Sequence, residues 1–381
     1  MNSNAKVLIA IPCLLLGGTE YQTLNLVKAL RENGYTVQVL CYFEHDPRMV
    51  AYMRDVGAEV NLMSESGIRP KGFLAKASAL FRGFRRVLKE YHPDIVHVQY
   101  MAPGSLAILL FKMLGAKKVL ATAHVPGHIY KNKTVPKFIS NYMTELFLCV
   151  SKSSEEAFFD TKPQLYDTQL YHAGRKHFTL YNCTDIPEYP ITKLQNQPLT
   201  IGVISRLSHE KGIDLLLQSM PKILSLFPDV RLLIVGDGTE KTSLLYLALE
   251  LNISDSIIWA GLQPKEALES YYGQMDIVAI PSRFEGFGLT AIEAMSYSIP
   301  VVASAVDGLM EVIEHGVSGM LVKPEDPSAL ADAIIALLLD PDKCRELGQN
   351  GYTRVKAAFA YNIYQKTIAK IYNNLLKGTK N

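Results

Sequence analysis

Short unbroken runs of Val, Ile and Leu recur along this chain, each followed by a longer stretch of helical period, and the series occurs twice. A strand that is apolar at every position must have both faces covered, as parallel sheets flanked by helices provide. Val7–Ile11, Thr36–Tyr42, Ile95–Gln99, Val119–Ala123 and Leu146–Val150 read as the first set of strands, with helices such as Glu20–Asn33 between them. The polar, proline-containing segment Asp185–Pro198 interrupts the rhythm and reads as a linker. Thr200–Ser205, Arg231–Val235, Ile257–Trp259, Ile277–Ile280, Pro300–Ala303 and Gly319–Val322 form the second set. The expected fold is α/β, with two Rossmann-like doubly wound parallel-sheet domains near 1–190 and 197–358. A chain of 381 residues is long enough to bury a core in each.

Composition narrows the function classes. A net charge of +2 argues against a general nucleic-acid binder. The five cysteines, Cys13, Cys41, Cys149, Cys183 and Cys344, are scattered and form no CxxC pair, which suits a reducing cytoplasm better than a disulfide framework or zinc site. Val7–Leu16 resembles a signal-peptide core, but Pro12 interrupts it and Gly17-Gly18-Thr19-Glu20 leads into an amphipathic run. The most apolar internal run, Ser105–Ala116, carries Lys112 and is too short to span a bilayer. The expectation is a cytoplasmic protein, soluble or peripheral on the inner face of the cell membrane.

In open α/β sheets ligands bind beyond the carboxyl ends of the strands, so with two domains the expected site is a cleft that both face. After the strand ending at Ile280 come Pro281-Ser282-Arg283-Phe284-Glu285-Gly286-Phe287-Gly288-Leu289-Thr290 and a helix through Met295. The glycines let backbone approach a ligand, and the helix start offers unpaired N–H groups to a phosphate. Glu285 lies on the loop; Glu293, inside the helix, can accept hydrogen bonds from a ribose diol. After Thr200–Ser205, Arg206 and Lys211 lie five apart on a strand-to-helix loop and can clamp a diphosphate, stabilising its departure without a metal. Glu210 and Asp214 are alternative partners for these two cations. Gly236-Asp237-Gly238 lacks the third glycine of a dinucleotide-binding loop and reads as a turn near the nucleotide. Asp340-Pro341-Asp342 reads as a helix-ending turn and new cap, not as a metal-binding DxD.

In the first domain, Gly17 and Gly18 follow the first strand and open a helix, a geometry that lets a phosphate come close. His124 follows Val119–Ala123 and projects from a strand's carboxyl end; His128, His97 and His92 have weaker claims. Ser151 lies just past Leu146–Val150, where it either faces the cleft or caps a helix. Between Arg69 and Tyr91 lie seven cations (Arg69, Lys71, Lys76, Arg82, Arg85, Arg86, Lys89) and one acid, Glu90, interleaved with Phe73, Leu74, Leu80, Phe81, Phe84 and Leu88. The segment reads as a basic amphipathic helix, either an ordinary surface helix or one that contacts an anionic membrane surface through 69–91.

The second half of the chain resembles glycosyltransferase family four, retaining enzymes of the two-Rossmann-domain GT-B fold. The residues that carry the resemblance are Gly202–Gly212, Val235–Gly238, Trp259–Gly261, Asp276–Met295, Pro300–Ser304, and Gly308 with Glu311, and Glu285 and Glu293 match an E-x7-E motif. The resemblance implies that Arg206 and Lys211 hold the donor diphosphate, that Glu285 and the Phe287–Leu289 backbone (Phe287, Gly288, Leu289) meet the donor sugar and phosphates, and that Glu293 takes the ribose. It makes His124 a catalytic-site histidine beside the transferred sugar, Asn182 part of an altered N-G-V-D segment, and 359–381 a helix that crosses back to the first domain. Two positions depart from the pattern: Asp307 precedes Gly308 where Gly-Gly is common, and Ser298 stands where a glycine usually does. The implied activity is retaining transfer from a UDP- or GDP-sugar to a saccharide or lipid-linked acceptor, with the nucleotide sugar as co-substrate and no metal or other cofactor. A sugar-nucleotide epimerase and a catalytically silent nucleotide-sugar-binding subunit remain the alternatives.

Overall fold

The computed structural model describes residues 5–99, 101–126, 133–188 and 198–377. The chain forms two compact units: Met1–Cys183 with Tyr361–Asn381, and Thr184–Ala360. The first stretch ends earlier than the boundary expected near 190, and Gln22 grips its last residue, Cys183, from both sides. The Cys183 N–H donates to Gln22 Oε1 at 3.0 Å, and its carbonyl accepts from Gln22 Nε2 at 2.7 Å. The Thr184 N–H already donates to Phe359 O of the second unit, at 3.0 Å. Most of the segment read as a linker, residues 189–197, lies outside the described residues.

The first unit holds a seven-stranded parallel sheet in the order β3-β2-β1-β4-β5-β6-β7. Its strands are β1 (Lys6–Ile11), β2 (Thr36–Cys41), β3 (Glu59–Leu62), β4 (Ile95–Gln99), β5 (Val119–Ala123), β6 (Leu146–Cys149) and β7 (His177–Thr179). Alternation along β1 divides two cores: Val7, Ile9 and Ile11 face one layer of helices, while Leu8 and Ala10 face the other. The edge strands β3 and β7 escaped the sequence reading because Glu-Val-Asn-Leu and His-Phe-Thr are too short and mixed to show a buried run. Helix Tyr361–Lys377 belongs to this unit. Tyr364, Ile368, Ile371, Tyr372 and Leu375, at helical spacing, enter the β1 core, where each fully buried aliphatic contributes on the order of 2 kcal/mol. Lys118 Nζ also donates to the Leu375 carbonyl.

The second unit repeats the plan with six parallel strands in the order β10-β9-β8-β11-β12-β13. They are β8 (Thr200–Ile204), β9 (Arg231–Val235), β10 (Ile257–Gly261), β11 (Ile277–Ile280), β12 (Val301–Ser304) and β13 (Met320–Val322). In both sheets the order reverses between a unit's first and fourth strands, β1/β4 and β8/β11. Loops diverge at that point and leave room beyond the strand ends. Asp340 caps helix Pro341–Ala358, accepting the Lys343 N–H at 2.9 Å, so its DxD triplet starts a helix. No described helix is long and apolar enough to cross a membrane.

Candidate functional site

The switch point of the second unit lies between the loops that follow β8 and β11. Gly212 allows these loops to stack: its φ is +64°, and a Cβ there would run into the Pro281 carbonyl. Arg283 fastens the stack. Its backbone N–H donates to Glu210 O at 2.9 Å, and its guanidinium donates to both Asp214 oxygens at 2.9 and 2.7 Å, to His209 O at 2.8 Å and to Glu325 at 3.1 Å. Burial opposes the charge on Asp214, but the hydrogen bonds and charge of Arg283 outweigh it and hold the carboxyl below its ordinary range. Asp214, one of the alternative partners for the loop's cations, is thus taken by an arginine that the sequence reading passed over.

Within this frame Lys211, in the turn His209–Lys211, donates to Glu285 Oε2 at 2.5 Å, with both side chains largely covered. The pair opens onto a hollow lined also by Ser205, Ile280, Ser282 and Thr290. Ser282 is buried, and among the described residues its hydroxyl has no hydrogen-bond partner. A buried polar atom without a partner costs about 1–3 kcal/mol, which a ligand atom would recover. Arg206 stands apart: its side chain is 71% exposed and donates to Glu210 at 3.1 Å. Gly236 and Gly238 serve the same loops, since a Cβ on either would strike the carbonyls of Ser205 and Leu207.

Helix Leu289–Ser296 opens at Gly288, whose φ of +104° and close approach to Leu309 exclude a larger residue. Among the described residues no side chain caps this helix. The Phe287 side chain is buried against Phe359 at 5.6 Å between ring centroids, so its backbone, not its ring, lies along the loop. Glu293, one turn into the helix, accepts from the Tyr272 hydroxyl at 3.0 Å through Oε2; among the described residues its other oxygen takes no hydrogen bond. Burial pushes the Glu293 carboxyl above its ordinary range, with Tyr272 and the Lys265 charge pulling the other way. Tyr272 lies on a helix 21 residues away, and nothing local in the sequence marks it as a partner.

Both departures from the family pattern occupy backbone that favours glycine: Ser298 has φ +60° and Asp307 φ +35°. Asp307 adds a contact that glycine would lack, its Oδ2 accepting the Glu285 N–H at 3.3 Å. Gly308 lies against the backbone of Gly286 and Phe287.

In the first unit, helix Gly18–Glu32 starts after Gly17, the N-cap residue. A Cβ on Gly17 would lie 2.7 Å from Glu20 Oε2, so the glycine makes room for a buried carboxylate that also accepts from the Cys13 thiol at 3.3 Å. His124, past the end of β5, donates from Nε2 to Gln99 Oε1 at 2.8 Å, which leaves Nδ1 as an acceptor. Burial lowers its pKa to about 4, so the ring is neutral at pH 7. Gln99 is buried, and among the described residues its Nε2 has no partner. It was not singled out in the sequence, although β4 and β5 pair in register and set it beside the strand end that carries His124.

Two of the other three histidine candidates lie within the described residues. His97 lies buried between Tyr372 Oη and Thr122 Oγ1, each at 2.7 Å. His92 closes helix Phe73–Tyr91 in a left-handed turn, and His128 lies outside the described residues. Ser151 caps helix Lys152–Phe159, accepting the Ser154 N–H at 3.2 Å, and Asn182 is buried.

Two family patterns match: "Glycosyltransferase Family 4" over residues 16–162 and "Glycosyl transferases group 1" over residues 188–354. A D-inositol 3-phosphate glycosyltransferase of Corynebacterium urealyticum is 37% identical over 183 residues, 46% of this chain. The chain spans a little under half the length of the first curated relatives it matches, 43–46%. The N-acetyl-alpha-D-glucosaminyl L-malate synthase of Bacillus anthracis is 27% identical over 390 residues, 99% of each chain. Among solved structures, Anabaena HepE in complex with UDP and glucose superposes with a TM-score of 0.80 at 21% identity, covering 97% of this chain and 99% of that one. The fold is that of GT-B glycosyltransferases, and with a family pattern on each half the chain belongs to the group 1, family 4 glycosyltransferases.

Proposed function

We propose that this protein is a retaining glycosyltransferase that moves a sugar from a UDP- or GDP-sugar to a saccharide or lipid-linked acceptor in cell-surface polysaccharide or glycolipid synthesis. The observation that carries the reading is the convergence, at one sheet switch point, of a covered cation, a covered carboxylate, a partnerless buried hydroxyl and an uncapped helix start. The names of the relatives and the nucleotide bound to HepE support the same reading.

In this reading Lys211 exchanges Glu285 for the donor diphosphate, and Arg206 swings from Glu210 to meet it. The N–H groups around Gly288 and Leu289 bind phosphate, and Glu293 accepts from the ribose. Glu285, once released, bonds the sugar hydroxyls. Gly17 and Gly18 lie along the donor phosphates, and neutral His124 lies beside the transferred sugar. The bond from the anomeric carbon to the diphosphate oxygen breaks as the acceptor oxygen adds on the same face, and the leaving diphosphate takes the acceptor's proton. Cationic side chains and backbone amides stabilise the departing charge, so the reading requires no metal or other cofactor. The protein works in the cytoplasm, with segment 69–91 the candidate for contact with the inner membrane face.

The test is to incubate the protein with a panel of nucleotide sugars, with and without cell-lipid and oligosaccharide extracts, and to follow free UDP or GDP. Acceptor-dependent release with an α-linked product from an α-linked donor is expected. An isomerised donor without release, or binding without turnover under every acceptor, would replace this reading with the epimerase or the silent subunit.

A further inference from the structure

Among the described residues, six other than glycine have a left-handed backbone. His92, Asp160, Asn252 and Ser298 each follow the end of a helix, where one residue of this conformation is a common stop. Glu325 and Asp307 stop no helix: each lies ahead of one, Pro327–Leu339 and Leu309–Val312. A side chain held at positive φ costs free energy unless its surroundings require it, so an outlier of this kind points to function. Both residues turn a carboxylate onto the loop after β11. Glu325 Oε1 accepts from Arg283 Nε at 3.1 Å, and Asp307 Oδ2 accepts the Glu285 N–H at 3.3 Å.

Asp307 belongs to a clasp. The next residue supplies its other half: the Gly308 N–H donates to the Glu285 carbonyl at 3.3 Å, so one turn holds both backbone polar groups of Glu285. That turn is packed tightly against the loop it holds. A Cβ on Gly308 would come within 2.4 Å of the Phe287 Cα, and the Leu309 side chain fills the space that a Cβ on Gly288 would need. The Glu285 side chain leaves the clasp toward Lys211 Nζ, at 2.5 Å. In the proposed reaction that pair opens and the carboxylate turns to the sugar. A side chain that changes partners needs a fixed pivot, and the pinned backbone provides one. Glycine, common at 307 in the family pattern, would relax the backbone and remove the acceptor together.

We propose that Asp307 is a positioning residue for the transferred sugar: its carboxylate pins the Glu285 backbone while the Glu285 side chain passes from Lys211 to the sugar hydroxyls, and the left-handed backbone at 307 is tolerated for that contact. The inference rests on the transferase reading and adds to it a residue that acts through Glu285 alone.

The experiment compares D307G, D307A, D307N and S298G in the full chain, by melting and by kcat/KM with the nucleotide sugar that wild type turns over. D307G and D307A both lose the acceptor, and kcat/KM should fall about tenfold in each, the low end for a hydrogen bond to a charged group. Their stabilities should differ, since only alanine keeps a Cβ at positive φ: D307G should melt roughly 2–4 °C above D307A. D307N still offers an amide oxygen and tolerates the left-handed region, so it should keep kcat/KM within about threefold of wild type. S298G is the control. Ser298 lies at the far end of helix Leu289–Ser296, its N–H donating to Met295 O at 3.0 Å, so relieving its φ of +60° should raise the melting temperature and leave kcat/KM unchanged. Affinity for free UDP or GDP should stay within about twofold of wild type in all four, because Glu285 meets the sugar and not the nucleotide. Unchanged kcat/KM in D307G, or turnover that follows the melting order, would make Asp307 merely structural and overturn the proposal. A loss of free-nucleotide affinity equal to the loss of kcat/KM would show general loosening and overturn it too. In each case the transferase reading stands. A wild type that turns over no nucleotide sugar would refute that reading, and this role of Asp307 with it.

Discussion

Glu293 offers the sharpest test of the donor site, because its two oxygens have different occupations. Oε2 is held by the Tyr272 hydroxyl at 3.0 Å, which fixes the carboxylate plane and leaves Oε1 to accept from a ligand. Hydrogen bonds to a charged acceptor are worth about 1.5–3 kcal/mol each, so Glu293→Gln, which keeps the shape and removes the charge, should weaken nucleotide binding by about 10- to 150-fold. Glu293→Ala should lose as much and also leave the Tyr272 hydroxyl buried without a partner, at a cost of about 1–3 kcal/mol to the second unit. The single tryptophan, Trp259, lies on β10 of that unit and reports its melting directly. Calorimetric titration should use UDP and GDP beside their 2′-deoxy analogues. If the carboxylate meets the ribose diol, wild type should discriminate against the deoxy form and Glu293→Gln should not, a coupling that isolates this contact from general loosening. Tyr272→Phe should retain most of the affinity, since it keeps the charge. Equal discrimination in wild type and Glu293→Gln would refute the ribose assignment, whatever happened to overall affinity.

Further predictions follow from the same geometry. His97 and His124 have folded pKa values of about 3 and about 4, lowered by burial from 6.5. The unfolded state therefore binds more protons in the window from about 6.5 to about 4, and stability falls as pH drops through it. Between about pH 7 and pH 5 each ring should cost roughly 2 kcal/mol. His97→Gln should flatten the far-UV urea profile of this drop by about one proton; an unchanged slope would show that His97 titrates normally. Arg283→Met should separate the β8 and β11 loops and lower second-unit stability by about 2 kcal/mol, with Lys unable to restore the bidentate bond to Asp214. Nucleotide affinity that survives a Trp259-reported loss of stability would free Arg283 from any role at the site. Gly212→Ala should displace the Lys211 turn from Pro281 and weaken donor binding at least about tenfold, because both its φ and its free space exclude a Cβ. A crystal structure of that variant with the loop unmoved would contradict this account.

Much of this protein is determined locally and was therefore legible in the sequence. Buried parallel strands are covered on both faces, so β1, β9 and β11 appear as nearly unbroken apolar runs, and β4 and β5 as runs broken only by His97, Gln99 and Thr122, with nearly the bounds the structure assigns. Ligand loops are expected after strand ends, so the positions of Lys211, Glu285 and His124 beyond β8, β11 and β5 were legible in the chain, and their roles remain part of the proposal. Short edge strands lack that signal, and β3 and β7 were missed. Tertiary structure alone decided which group faces which. It set Tyr272 on Glu293, Arg283 on Asp214 and Gln99 on His124, and left Ser282 without a partner. It also showed why the family prefers glycine at positions 298 and 307, since Ser298 and Asp307 both have left-handed backbones. Such pairings depend on strand order and on the stacking of loops distant in sequence, whereas periodicity records only whether a residue faces inward. The basic helix shows the same division. Its charge and period were visible in the chain, but only the packed sheet revealed that Leu74 and Phe81 are left outside the core.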